Sequence, residues 1–238
     1  MEELGIISYL KNFTTEYIKY VDFNDWLLTL SFIMIVICPT TWNLVARWEF
    51  HTKFFSKLTG DNRMAADIFA HILIEMGIFR NFIYMRVIMT QPHLVIENET
   101  LELITMIIGY SLIGIGFILN FFSFYRLGIH GIYYADYFGI LFNEMVTAFP
   151  YNVLSNPLYV GSTMLFFGNA FVYKSPVGIL LSILARVMYK IASYLENPMT
   201  DLIYSEENIK AVRQMNKDRI RQNSLIKKNL VDEEPFRF

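Results

Sequence analysis

The chain has 238 residues, 54% of them hydrophobic and only 18% charged, with a mean hydropathy of +0.36. Soluble domains carry more charge, and here the apolar residues come in long blocks rather than in alternation, so the composition excludes an ordinary soluble globule and points to a membrane protein. A net charge of −2 offers no basic field for nucleic acid, and a single cysteine, Cys38, excludes an intrachain disulfide and a cysteine metal site.

Residues 1–25 are mixed polar and acidic, with no basic stretch leading into an apolar one, and are read as a polar N-terminal segment rather than a cleavable signal. Crossing a bilayer core takes about 20 apolar residues in a helix. The first block that qualifies runs from Trp26 to Val45, interrupted by Pro39. The second runs from Ala65 to Met89 and carries His71, Glu75, Arg80 and Arg86; the third, Leu103 to Tyr125, is the cleanest. The fourth, Leu158 to Tyr194, is too long for one crossing, and Lys174-Ser175-Pro176 breaks it. That break gives either a helical hairpin of about 16 and 19 residues or one tilted, kinked helix. The predicted fold is all-α, an integral membrane bundle of about four to five helices over 26–204, followed by a charged cytosolic tail over 205–238.

Basic residues favour the cytosolic side of short loops. Arg47, Lys53, Lys57 and Arg63 therefore place the loop after the first block in the cytosol. The stretch Thr90 to Glu102 has no Lys or Arg and holds the sequon Asn98-Glu99-Thr100, which places it in the lumen; Asn12-Phe13-Thr14 fits a lumenal N-terminus. The segment Arg126 to Pro157 is then cytosolic. In the tail, Lys210 to Lys228 is basic and Asp232 to Glu234 acidic, either a solvated end or one drawn to anionic lipid.

Polar or small residues inside such blocks are the functional suspects. Gly114-Ile115-Gly116 could admit a ligand or simply a neighbouring helix. Glu196 and Asn197 lie before Pro198, where Glu196 could accept hydrogen bonds from ribose hydroxyls or be a solvated helix end stopped by the proline. Arg186 and Lys190 could hold an anion or snorkel to the headgroups. Asp136-Tyr137-Phe138-Gly139-Ile140-Leu141 precedes Asn156-Pro157-Leu158-Tyr159, where Asn-Pro starts a helix with Tyr159, Gly161 and Ser162 at its entrance. His71 and Glu75 lie one turn apart, but no further ligand set accompanies them, so they are read as an internal polar contact and no metal site is assigned.

Taken in order, these pieces resemble the phosphatidylethanolamine N-methyltransferase family in its short form, from about Pro39 to Tyr204. They are Trp42 to Glu49, the Gly114 to Gly116 triplet, Asp136 to Leu141, Asn156 to Tyr159 with Gly161-Ser162, Ser175-Pro176 with Gly178, and Glu196 to Thr200 followed by Ile203-Tyr204. The resemblance implies an S-adenosylmethionine-dependent methyltransferase of the endoplasmic reticulum membrane, with a mitochondrial membrane as second location. Its lipid substrate would enter from the bilayer, and its product would be phosphatidylcholine. It implies donor binding at Gly114, Ile115, Gly116, Glu196 and Asn197. The family usually has a second Glu at the position of Asn197, and losing a charged hydrogen bond there costs about 1.5–3 kcal/mol. Val160 stands where the family has Trp.

The implied reaction needs a base for the acceptor ammonium and a surface for the growing cation. Asp136 is the favoured base, with His130 and Glu144 as others, and Tyr133, Tyr134 and Tyr159 offer ring faces; Asp136 and Tyr159 are the catalytic assignments. Two other functions stay open: a non-catalytic lipid-binding protein on the same scaffold, and methylation of a prenylcysteine carboxylate. The latter is disfavoured by Ser155-Asn156 where those enzymes have Arg-His. A transporter is least favoured because no inverted repeat is present. Whether all three methylations or only the later two occur is left open, as is oligomeric state.

Overall fold

The computed structural model describes residues 17, 19–141, 146–205, 209, 210, 214, 217, 218, 221 and 224. Glu144 and the sequon at Asn12 lie outside the described residues. The ordered elements are α1 (Trp26–Thr52), α2 (Phe54–Thr59), α3 (Asn62–Thr90), α4 (Glu99–Ile132), a 3-10 turn (Ala135–Phe138), α5 (Pro157–Val172) and α6 (Pro176–Ile203). Among the described residues there is no strand. Compact units divide between Leu195 and Glu196; the first holds the bundle, and the second the last turns of α6 and the tail.

The helix starts follow from local chemistry. Asp25, Asp61 and Asn98 each cap a helix, their side chains accepting from Leu27, Arg63 and Leu101 N–H groups that have no intrahelical partner. Pro157 and Pro176 open α5 and α6, where a missing N–H costs nothing. The break at Tyr173–Ser175 makes α5 and α6 separate helices, so the hairpin is the form adopted. The last helix is longer than expected because Pro198 does not stop it; α6 continues through Pro198 to Ile203, and only the Tyr194 carbonyl loses its helical donor. The third block is longer too, with Gly128 (φ 61°, ψ −174°) kinking α4 near its end.

By length and apolar composition α1, α4 with the 3-10 turn, and α6 can each cross a membrane. The 29-residue α3 is long enough but carries charge, and the apolar α5 has 16 residues. A core of Ile35, Ile83, Tyr84, Val87, Ile88, Phe166, Val177, Leu181, Ala185 and Tyr189 joins α1, α3, α5 and α6. Helix α4 stands on the outside, burying only Gly109, Gly116, Leu119 and Ser123 while Ile107, Phe117, Ile118 and Phe121 face outward. So large an exposed apolar face suits lipid rather than water.

Helix α4 is held by a glycine seam. A Cβ on Gly116 would lie 2.7 Å from the Gly161 carbonyl oxygen, and one on Gly168 would lie 2.8 Å from that of Gly109. Each helix thus presents two glycines a heptad apart to the other, and the two run antiparallel with their backbones in contact.

The loops gather in two sets of contacts. In one set Gln91 grips the N-terminal segment: its amide accepts from Asp22 N–H at 2.9 Å and donates to the Asp25 carboxylate at 2.9 Å. Leu94 N–H donates to the Lys174 carbonyl at 2.9 Å, and Lys174 pairs with Glu102. In the other Lys53 Nζ donates to the Tyr137 carbonyl at 2.9 Å, and Glu49, fully buried, accepts from Phe55 N–H and from Ser56.

Candidate active site

The segment after α4 folds back over the bundle through two left-handed residues. Tyr134 (φ 62°) enters the 3-10 turn and Gly139 (φ 85°) leaves it. Glycine takes that conformation freely, whereas a tyrosine there stores strain, which proteins tend to keep at working sites. The turn buries Ala135, Tyr137 and Phe138, with Phe138 5.6 Å from Phe69 and Tyr137 6.2 Å from Phe50, ring centre to ring centre.

This fold-back places Tyr134 over the entrance of α5. Its hydroxyl lies 3.3 Å from that of Tyr159, and the Tyr159 ring stacks on Tyr189 of α6 at 5.0 Å and 19°. Tyr189 in turn meets Arg80 of α3, whose guanidinium carbon sits 5.6 Å from the Tyr189 ring and 5.4 Å from Phe166. A tyrosine series therefore leads from the 3-10 turn into the bundle and ends on a buried cation. Asn156, just before α5, donates to Ser193 of α6 and fixes the level of this entrance.

The sequence-predicted residues distribute unevenly around that series. Tyr134 and Tyr159 come together, and the half-buried Asp136 lies in the turn beside them, one carboxylate oxygen accepting from Tyr137 N–H at 3.1 Å. His130 pairs its Nε2 with the Asp67 carboxylate at 2.7 Å; the carboxylate orients the ring and leaves Nδ1 as the acceptor in the neutral form. In the triplet expected to bind the donor, Gly116 is filled by α5, while Gly114 has nothing within 4 Å of its Cβ position and Ile115 is exposed. Glu196 and Asn197 are helical residues of the second unit. Arg186 and Lys190 face outward. His71 and Glu75 are exposed, and His71 Nδ1 bonds the Asp67 carbonyl at 2.7 Å rather than meeting Glu75. Among the described residues no group of three His, Cys, Asp or Glu side chains could hold a metal.

Sequence reasoning does not single out Arg80, Tyr189 or Asp67. For Arg80 the signal is present, a guanidinium inside an apolar block on the face shared with Tyr84, Val87 and Ile88. Tyr189 carries no such signal, because an aromatic residue in an apolar helix is ordinary core. Outside the spans, burial pushes the Lys53 amine below the usual lysine range, opposed by Glu49.

The phospholipid methyltransferase family model matches residues 104–207, a stretch that holds Tyr134, Tyr159 and Tyr189. A Dictyostelium discoideum protein named phosphatidylethanolamine N-methyltransferase A is 39% identical over 85% of this chain and 90% of its own length. A Neurospora crassa phosphatidyl-N-methylethanolamine N-methyltransferase is 40% identical over 80% and 88%. A Mus musculus phosphatidylethanolamine N-methyltransferase is 36% identical over 79% and 93%. No solved structure matches the chain.

Proposed function

The chain belongs to the phospholipid methyltransferase family, and we propose that it moves methyl groups from S-adenosylmethionine to the ethanolamine nitrogen of phosphatidylethanolamine or its mono- and dimethyl forms, toward phosphatidylcholine. The observation that carries this is the 39% identity sustained over 85% of the chain. The relatives' names divide between the unmethylated and the monomethyl acceptor at nearly equal identity, so acceptor range is the quantity to measure.

The sulfonium of the donor supplies an electrophilic methyl group, and its sulfur keeps the bonding pair as the new N–C bond forms. The chain's residues must position the acceptor and remove its proton. Alignment of two reactants is worth roughly 7–11 kcal/mol. Freeing an amine with a lysine-like pKa of about 10.4 at pH 7 costs about 4–5 kcal/mol. We assign proton acceptance to Asp136, with the His130–Asp67 pair as the second reading that its 2.7 Å geometry favours. The ring faces of Tyr134 and Tyr159, with Tyr133 beside them in sequence, suit a nitrogen that grows more cationic with each methyl. Donor binding is assigned to Gly114, Ile115, Gly116, Glu196 and Asn197 on the family pattern. The open space beside Gly114 supports a flat group there, whereas Gly116 contributes by letting α5 approach. The apolar outer face of α4 supports lipid entry from the bilayer, and the donor would arrive from the cytosol. The endoplasmic reticulum assignment rests on the resemblance and is checked by fractionation.

The test is transfer of labelled methyl from S-adenosylmethionine in microsomes, with each of the three acceptors supplied separately. Label is expected in phosphatidylcholine, and is expected to vanish in a Glu196→Gln or Gly114→Leu variant that still inserts. Asp136→Asn should lower the rate near neutral pH and leave a rate that climbs toward alkaline pH as the acceptor amine loses its own proton; an unchanged pH profile would move the base to His130. No transfer to any acceptor from folded protein would favour the lipid-binding scaffold, for which Asn197 in place of Glu speaks.

A further inference from the structure

Arg80 lies in the interior of the bundle, 7% exposed, on a helix whose neighbours are apolar. Along α3 it sits about 27 Å from Asn62 and about 15 Å from Thr90, well away from either end. A charge in such a place is expensive unless an opposite charge or strong acceptors surround it. Among the described residues no carboxylate pairs with it. Its acceptors are neutral: the Asn81 side-chain oxygen, 3.3 Å from Nε and 3.0 Å from Nη2, and the Tyr189 hydroxyl. Five N–H groups in a fork outnumber those acceptors, and the rings of Phe166 and Tyr189 hold the plane of the fork in place. A rigid, desolvated guanidinium with its charge uncompensated is a receptor for an oxyanion, which it can grip through two parallel hydrogen bonds.

The tyrosines beyond it suit the opposite charge. From the Arg80 carbon to the Tyr189 ring is 5.6 Å, and from that ring to Tyr159 is 5.0 Å. Both substrates of the reaction proposed above are zwitterions. In one, a phosphate is joined to a nitrogen through an ethanolamine; in the other, a carboxylate is joined to a sulfonium through the methionine chain. In each, the anionic centre and the onium atom are separated by about 5 Å when extended. We propose that Arg80 receives the oxyanion of one of these substrates, phosphate or carboxylate, while the onium end of the same molecule lies against the Tyr159–Tyr189 pair. This rests on the methyltransferase reading for the identity of the ligands, and on the geometry for the site.

The test uses the full chain in detergent, with folding judged by thermal melting. Arg80→Gln and Arg80→Lys are compared with wild type in two measurements. One is the dissociation constant of S-adenosylhomocysteine, which keeps the carboxylate and needs no turnover. The other is the KM for acceptor lipid in mixed micelles at saturating donor. A weakening of about tenfold or more is expected in one of the two for Arg80→Gln, with Arg80→Lys intermediate because an ammonium cannot reproduce the fork. Weakened homocysteine-analogue binding with unchanged lipid KM identifies the donor carboxylate; the reverse identifies the lipid phosphate. Wild-type constants in folded Arg80→Gln overturn the proposal. If only Arg80→Lys folds, wild-type constants there overturn it equally, and failure of both to fold makes Arg80 a packing residue and overturns it. Absence of methyl transfer by wild type would instead sink the proposed reaction, while analogue binding would still report on Arg80.

Discussion

Exchanging each glycine of the Gly114-Ile115-Gly116 triplet for alanine separates two roles that the motif merges. In Gly116→Ala the new methyl would stand 2.7 Å from the Gly161 carbonyl oxygen, 3.1 Å from Leu165 Cγ and 3.2 Å from Leu165 N. Two of these atoms are backbone of a packed helix, so α4 and α5 must move apart. Overpacking of this kind costs about 1–3 kcal/mol. For a chain of this size that corresponds to a melting point lower by roughly 2–10 °C. Gly114→Ala meets nothing within 4 Å and gains helix propensity, worth up to about 1 kcal/mol. The assay is thermal unfolding of purified protein in one detergent, with S-adenosylhomocysteine binding measured on the same samples. Gly116→Ala is expected to melt lower, and Gly114→Ala to melt at or above wild type. If Gly114→Ala also loses analogue binding, its role is in the site rather than in packing. Equal stability of Gly116→Ala and wild type, or a destabilised Gly114→Ala, would refute the seam.

Three further outcomes follow from the end of the bundle that carries Lys53. Glu49→Ala leaves the N–H groups of Phe55 and Ser56 without their acceptor, at about 1–3 kcal/mol for each buried donor, and should raise hydrogen exchange across residues 53–59; unchanged exchange there would contradict the role of Glu49. Gly139→Ala must hold φ 85° with only Asn62 Nδ2 nearby at 3.6 Å, so its cost is backbone strain of about 1–2 kcal/mol, and Gly139→Asn should be milder because asparagine tolerates that region. Melting points ranking Asn below Ala would count against this. Burial lowers the Lys53 pKa in the folded chain, so the unfolded chain holds that proton to higher pH; the stability of wild type relative to Lys53→Gln should therefore rise with pH between the folded value and about 10.4, and a flat or falling difference would be inconsistent with the burial.

The helices were legible because hydrocarbon demands long apolar runs, and a proline between two such runs needs a turn. Hence the blocks at Trp26, Ala65, Leu103 and Leu158 each became helices, and the hairpin formed at Ser175-Pro176. Their ends were less legible. Pro198 reads as a stop, yet a proline four residues beyond a carbonyl removes one hydrogen bond only, and a helix already paired on both sides can absorb that. Part of the candidate site was legible as well, since Tyr134 and Tyr159 meet. Tyr189 was not legible, because its significance arises from helices that are adjacent in space and distant in sequence; Arg80 was legible as a charge inside an apolar block, but its partners on the other helices were not.

The glycine triplet shows what local spacing leaves out. Residues two apart on an α-helix point about 200° away from one another. Gly114 and Gly116 therefore cannot line one notch on an unbroken helix, and here one is open while the other is closed by α5. The partners of Gly116 are Gly109 on its own helix and Gly161 and Gly168 on the next, a set with heptad spacing that a local motif hides. By fixing α4 against α5, this seam sets the height at which the chain leaves α4 and folds back, and so where Tyr134 stands over Tyr159. Gly116 thus bears on the tyrosine site from the opposite side of α4 to Gly114. A variant at Gly116 is expected to lower activity in step with stability, and a variant at Gly114 to lower it with stability unchanged.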